Sequence, residues 1–474
     1  MFGGLTLSYI GSGLGCAPPC VDDGVGQKNN CAAQDAASAS ESSQGSTVSA
    51  TEPTGVTMSA SAESLTDDAS ASADASSGPT ADATSADDTN TSDDSSGTTG
   101  DPDLGHFGVG SLIIPMDTDY QDSGMLEAYG LVYELLTNEI TIAWTILPGK
   151  GFGEVDFTTT ATDLRSGDVV PEHGYRGGPF VVRESDAVLA LPIVEAWLAA
   201  NPDTAVHEVT ADFDAHIARR LLHAPTIAVF VDGNEDVARN YLVAAKIPDS
   251  TGDMGWPNNS PDLLDIDEIA GPSEALHDDG ALFTAGHNPR YCQLMSMHWD
   301  VSEAEANPEV VAEVRSYLQF STHFFAECQA VNAFENLEPY GFFLTPNGLD
   351  IDERPAMFDF FRMDTPFGQI DGLFGSVGGS EPSYSLPPGD AYYQNDTVLI
   401  TASGSPEGTQ DVWMTGFLDG ACPATEDVCE GAGKVSYLGG HQYNVAMPIS
   451  QHPDSQGARL FLNSLFEAPC VLVE

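Results

Sequence analysis

The sequence predicts an α/β protein: a mostly parallel sheet flanked by helices, with an N-terminal α/β portion and a disordered acidic tether in front. Three observations lead there. Strand-like and helix-like segments alternate from Val109 onward, the pattern of βαβ units. The apolar run Thr322–Glu327 passes straight into the helical pattern Gln329–Glu335 at Cys328, with no loop residue between them. Residues 32–103 are Ser, Ala, Thr, Asp and Gly with almost no large apolar side chain, too little to offset the entropy of ordering.

Four blocks follow in order. Residues 1–31 open with MFGGLTLSYIGSGLG, apolar and small, ending just before Cys16. This stretch resembles the tail of a bacterial lipoprotein signal, although it lacks a positive n-region and has Gly13 where a Leu-like residue is usual. The resemblance implies lipidation at Cys16. It also implies an extracytoplasmic protein of the bacterial outer surface or periplasm, held to the membrane only by that N-terminal lipid. Residues 32–103 then form the tether, which carries fourteen acidic residues. Between Lys28 and Lys150 there is no Lys or Arg.

Residues 104–221 are the N-terminal α/β portion. Val109–Met116 reads as a buried strand, and Asp122 and Ser123 as N-caps of a helix ending near Thr137. Ile140–Leu147 is a second strand and Gly177–Val182 a third, followed by a helix over Asp186–Ala200. Residues 222–474 form the second portion. Thr226–Val231 suits a central parallel strand, with a helix over Glu235–Ala245. Cys292–Trp299 is the next strand and Glu303–Phe320 a long amphipathic helix, before the Cys328 junction. Past Pro339 the chain is irregular, with β segments at Val398–Ala402, Val412–Leu418 and Lys434–Leu438. The helix Ser455–Phe466 closes it.

A formal net charge of -57 with 15 Lys and Arg leaves no basic footprint, so nucleic acid is excluded as a partner and an anionic lipid surface is disfavoured. The remaining partner classes are a small molecule, a glycan or a surface protein. The eight cysteines show no zinc spacing. Cys422 and Cys429 bracket a short stretch and are expected to close a surface loop as a disulfide. Asp-rich turns at Asp117–Asp122, Asp265–Glu268 and Asp350–Glu353 miss the EF-hand pattern, and no Gly-rich phosphate loop follows a strand. No metal and no cofactor is therefore expected. Phe358, Phe360, Phe361, Tyr384, Tyr392 and Tyr393 could form a recognition platform, but packing beneath long loops is the preferred account. His173 and His287 read as solvated loop histidines. His298 ends a strand, where functional groups of open α/β sheets collect, although a capped strand end explains it as well.

A side chain on so sharp a turn as Cys328 is held out of both elements, like the nucleophile elbow of α/β hydrolytic enzymes. From Thr226 onward the order of elements resembles the class I glutamine amidotransferase-like domain, a flavodoxin-like fold. In that family a strand–Cys–helix elbow is followed much later by a strand ending in a histidine. The matching positions are Cys328 in Phe325-Ala326-Glu327-Cys328-Gln329-Ala330 and His441 in Tyr437-Leu438-Gly439-Gly440-His441. The resemblance implies Cys328 as nucleophile and His441 as base. Two elements depart from the family: no glycine flanks Cys328, and Gln442-Tyr443 stands where His-x-Glu would supply the acid. Glu335 could line the same pocket from two helical turns further on, and Glu327 or Glu338 could serve similarly. Cys328 could instead be a packed thiol, or pair with Cys292. Two functions follow: an exported, surface-anchored binding or structural protein on a degenerate amidotransferase-like scaffold, or a cysteine hydrolase cleaving an amide or ester.

Overall fold

The computed structural model describes residues 103–301, 305–375, 378–394 and 398–472. The expected lipidation at Cys16, and the tether before residue 103, lie outside them. No helix of the described residues is long and apolar enough to cross a membrane.

The N-terminal strands are β1 (Leu104–Phe107), β2 (Leu112–Ile114), β3 (Ile142–Thr145), β4 (Val155–Asp163), β5 (Val169–Arg176), β6 (Phe180–Val182), β7 (His207–Val209) and β8 (Phe213–Leu221). Helix α1 (Met125–Thr137) precedes β3, and α2 (Glu184–Ala200) follows β6. These strands form one eight-stranded sheet in the order β1-β8-β3-β6-β2-β7-β4-β5, and every pairing is antiparallel.

The second sheet starts parallel. Strands β9 (Ile227–Phe230), β10 (Leu263–Leu264), β11 (Gln293–Ser296), β12 (His323–Glu327) and β18 (Lys434–Leu438) lie in the order β10-β9-β11-β12-β18. Helices α3 (Asp236–Ala244), α4 (Ile266–Ala270), α5 (Pro308–Tyr317) and α6 (Gln329–Glu335) fall between them in the chain. Beyond β18 the sheet turns antiparallel through β17 (Asp411–Phe417), β15 (Ser383–Ser385) and β13 (Asp350–Asp352). Strand β16 (Val398–Ala402) pairs with both β17 and β14 (Phe358–Phe360).

The expectation of a mostly parallel, amidotransferase-like sheet flanked by helices is therefore overturned. Antiparallel pairings make up the whole first sheet and the far half of the second. Strands β2 and β3 on either side of α1 run parallel to each other but do not pair, because β6 lies between them, antiparallel to both. Strands β4, β5, β7 and β8 were not anticipated, yet β8 alternates buried and exposed residues along FDAHIARRL. That period of two marks an antiparallel strand with one covered face, whereas the buried runs at β9 and β11 suit parallel pairing. The expected caps of α1 are also displaced: Gly124 is its N-cap, and the Asp122 carboxylate accepts from the Ser450 amide at 2.7 Å and hydroxyl at 2.6 Å. Asp265, by contrast, caps α4 through a capping box with Glu268.

Helix α7 (Ser455–Glu467) is buried along its whole length. Gly457 brings it against Tyr443: a Cβ at that position would lie 2.0 Å from the tyrosine ring. Two disulfides form among the described residues. Cys422–Cys429 closes a short loop as expected, and Cys292 pairs with Cys470 across 178 residues rather than with Cys328.

His323, buried on β12, has Nδ1 2.9 Å from the Ser464 carbonyl, to which it donates, and Nε2 accepting from the Ser436 hydroxyl at 2.8 Å. Burial, and then the charge of Lys434, push its pKa down to about 3. Between about 3 and the ordinary 6.5 the unfolded chain binds a proton that the folded chain refuses. The contribution is complete above 6.5 and lost as pH falls towards 3. In urea titrations across that window, His323→Gln should show a weaker rise of stability with pH than the wild type; an identical slope contradicts the assignment. Gly457→Ala should cost about 1–3 kcal/mol of stability by overpacking, read from the same urea midpoints.

Candidate functional site

Four strand ends meet at the C-terminal edge of the parallel half, where open α/β sheets bind ligands. Asp232 follows β9, His298 follows β11, Cys328 follows β12 and His441 follows β18. Cys328 is the N-cap of α6 with φ 55 and ψ -130, a conformation non-glycine residues hold only under constraint. The constraint is visible: its amide donates to Leu438 O at 3.1 Å and its carbonyl accepts from the Tyr384 hydroxyl at 2.6 Å. The elbow expected from the sequence thus forms without flanking glycines.

The Cys328 thiol is free and wholly buried. It donates to Glu381 Oε2 at 3.4 Å, with the Ser380 hydroxyl at 3.8 Å. Burial first, and then the Glu381 charge, push the thiol pKa up. Burial also raises Glu381, against the pull of the Ser380 and Cys328 hydrogen bonds. The structure also brings His441 to this edge, in contact with the His298 imidazole. Its Nδ1 lies 3.1 Å from Nδ1 of His298, and the rings meet edge to face at 4.5 Å. One ligand atom from each of His298, Cys328 and His441 falls within 4.8 Å of the other two.

Buried carboxylates support the elbow from below. Asp232 Oδ2 accepts from Ser296 Oγ at 2.9 Å and from the amides of Met297 and His298 at 2.7 and 3.1 Å. Those bonds pin the end of β11 and therefore His298. Glu327 is fully buried just before Cys328, and burial followed by the Asp232 charge pushes its pKa well up.

Glu335 does not join this cluster. Its carboxylate accepts from the amides of Phe343, Leu344 and Thr345, from Thr345 Oγ1 and from the Tyr437 hydroxyl. That work is structural, because it anchors the segment after α6. Of the aromatics, Tyr384 is consumed by Cys328, Tyr392 donates to Asp411 at 2.6 Å, and Phe358 packs edge to face on Phe374.

Glu381 was missed by sequence reasoning. It follows the Gly378-Gly379-Ser380 run. The available signal was glycines that permit close approach: a Cβ at Gly379 would stand 2.7 Å from the His441 Cβ. The Gly440 amide also donates to the Glu381 carbonyl at 3.0 Å, so the Ser380-Glu381 segment and His441 are fixed together.

No protein-family model matches the chain, and no curated protein is significantly similar to it in sequence.

Glu381→Gln should make the thiol easier to ionise, since it removes the carboxylate charge beside the sulfur. Alkylation of Cys328 by iodoacetamide near neutral pH is expected to rise by about tenfold if about 1.4 kcal/mol of repulsion is relieved. Mass spectrometry of the peptide carrying residue 328 reads this, and an unchanged or slower rate removes Glu381 as the controlling group.

Proposed function

We propose that the protein is a cysteine-dependent hydrolase acting on an amide or ester, with Cys328 as nucleophile. The observation that most supports this is the strained backbone at Cys328, φ 55 and ψ -130, where β12 meets α6. Such a conformation costs about 1–3 kcal/mol. A cysteine that merely packs the joint has no use for it, whereas a nucleophile needs its sulfur held above the sheet edge. The nearby imidazoles and carboxylate supply proton acceptors at hydrogen-bonding or near hydrogen-bonding range.

In this reading the thiol proton moves to His441, which has a ring nitrogen within 4.8 Å of the sulfur, as sulfur bonds to the substrate carbonyl carbon. The carbon–nitrogen or carbon–oxygen bond then breaks, and the same proton passes to the leaving amine or alkoxide. A water attacks the resulting thioester. His441 accepts the water's proton and returns it to the departing sulfur, while His298, 3.1 Å away through Nδ1, helps to orient the His441 ring.

A second reading keeps the site non-catalytic, as part of an exported binding or structural module for a small molecule, glycan or surface protein. Complete burial of Cys328 and its raised pKa favour it. The two disulfides suit an oxidising, extracytoplasmic compartment in either case.

Incubation of the full chain with p-nitrophenyl acetate separates the two readings. Hydrolase chemistry predicts a burst of about one equivalent of p-nitrophenolate. It also predicts an acetyl adduct on the peptide carrying residue 328, with both lost in Cys328→Ala. If the adduct is absent, or release is the same in Cys328→Ala, the non-catalytic reading stands.

A further inference from the structure

We propose that His298, Cys328 and His441 bind one thiophilic divalent cation of the zinc class, leaving one coordination position open. The donor set is two imidazoles and a thiol, the ligand types that select zinc and its congeners over calcium or magnesium. Zinc at about 2.0–2.1 Å from nitrogen and about 2.3 Å from sulfur places tetrahedral ligand atoms roughly 3.3–3.7 Å apart. The two imidazole nitrogens already stand 3.1 Å apart, and all three donor atoms lie within 4.8 Å of one another. Little movement is needed to close the shell.

The donors come from three different strand ends, so their convergence is a property of the sheet edge and not of one flexible loop. Each is separately braced. Asp232 holds the His298 amide, the elbow holds Cys328 through Leu438 O, and Gly440 is tied to Glu381 beside His441. Such outer support is what fixes ligand orientation in metal sites. Binding forms a sulfur–metal bond and breaks the sulfur–hydrogen bond. The proton passes to Glu381 Oε2, 3.4 Å away, or to solvent. No electron is transferred. With three protein donors the fourth position is left for water or a ligand, as in reactive rather than structural zinc sites.

A second cluster, Asp117, Asp119 and His173, is a weaker candidate. Its groups are already engaged: Asp117 with His173 and Asp119 with Arg176, both at 3.1 Å. A cation there would have to displace the arginine.

The proposal shares side chains with the hydrolase reading but does not rest on it, because a bound cation would sequester the sulfur. Calorimetric titration of the full chain with zinc, in excess calcium to occupy the acidic surface, should show one tight site. Cadmium should produce a thiolate-to-metal absorbance band that is reduced in Cys328→Ser. His298→Gln and His441→Gln should each weaken zinc by at least about tenfold, with far-UV circular dichroism matching the wild type. A cadmium band of unchanged intensity in Cys328→Ser, or unchanged zinc affinity in folded His298→Gln, overturns the site. Independently of any variant, zinc should protect Cys328 from N-ethylmaleimide in the wild-type chain; labelling indifferent to zinc also overturns it. None of these readouts needs turnover, and acylation in chelator-treated protein reports separately on the hydrolase reading.

Discussion

Everything else in the structure depends on accommodating α7, a helix buried on every side. A helix so placed is ordinarily apolar all round, yet this one carries Gln456, Arg459, Asn463, Ser464 and Glu467 into the interior. Each must find a partner or leave a costly unpaired group. Arg459 donates to the carbonyls of Met116 and Gly177 at 2.9 and 2.8 Å. Asn463 accepts from Tyr129 and donates to Gln369 O at 2.9 Å. Ser464 reaches the parallel half through Gln293 and His323, and Glu467 joins Arg219 of β8 to Lys434 of β18. The last helix in the chain is thus a polar splint shared by the all-antiparallel sheet and the mixed sheet. The cluster of Arg219, Glu467 and Lys434 gains little over an apolar core of equal volume. What it supplies is register, because a shift of α7 by one turn would strand several charges at once.

The same helix reaches the candidate site. Gly457 lets the Tyr443 ring pack against α7, and the Tyr443 hydroxyl donates to the Gly439 carbonyl. Its amide donates to the Tyr241 hydroxyl at 2.8 Å. The turn carrying His441 is therefore held at both ends by groups that α7 and α3 position. His441 therefore has a defined place: its turn is held through Gly439 and Tyr443, and its ring meets His298.

The sequence made parts of this legible and hid others for a physical reason. Continuous apolar runs announce strands buried on both faces, so β9, β11, β12 and β18 could be read, along with the junction at Cys328. Antiparallel strands advertise themselves more quietly. In β4 the run FTTTATD interleaves threonine with buried positions, and in β8 Arg219 and Arg220 sit within a covered strand, so polarity masked both. Which strands pair, and in which direction, depends on contacts more than a hundred residues apart, such as β1 with β8. No local pattern encodes these. The site divides in the same way. Cys328 and His441 lie at strand ends and could be found from their surroundings. Glu381 sits in irregular chain before a three-residue strand and is brought to the sulfur only by tertiary packing.

Glu335 and Glu381 show why helical spacing was a poor guide to the acid. Both are buried carboxylates, but Glu335 is saturated by five donors from its own neighbourhood. A carboxylate so satisfied has no acceptor position left to orient an imidazole, although burial raises its pKa as it does that of Glu381. Among the described residues, the Glu381 side chain meets the Ser380 hydroxyl and the Cys328 thiol, and burial raises its affinity for a proton. The carboxylate that meets the Cys328 sulfur is thus placed by the fold of the Gly378–Glu381 segment against His441 and not by any spacing along α6.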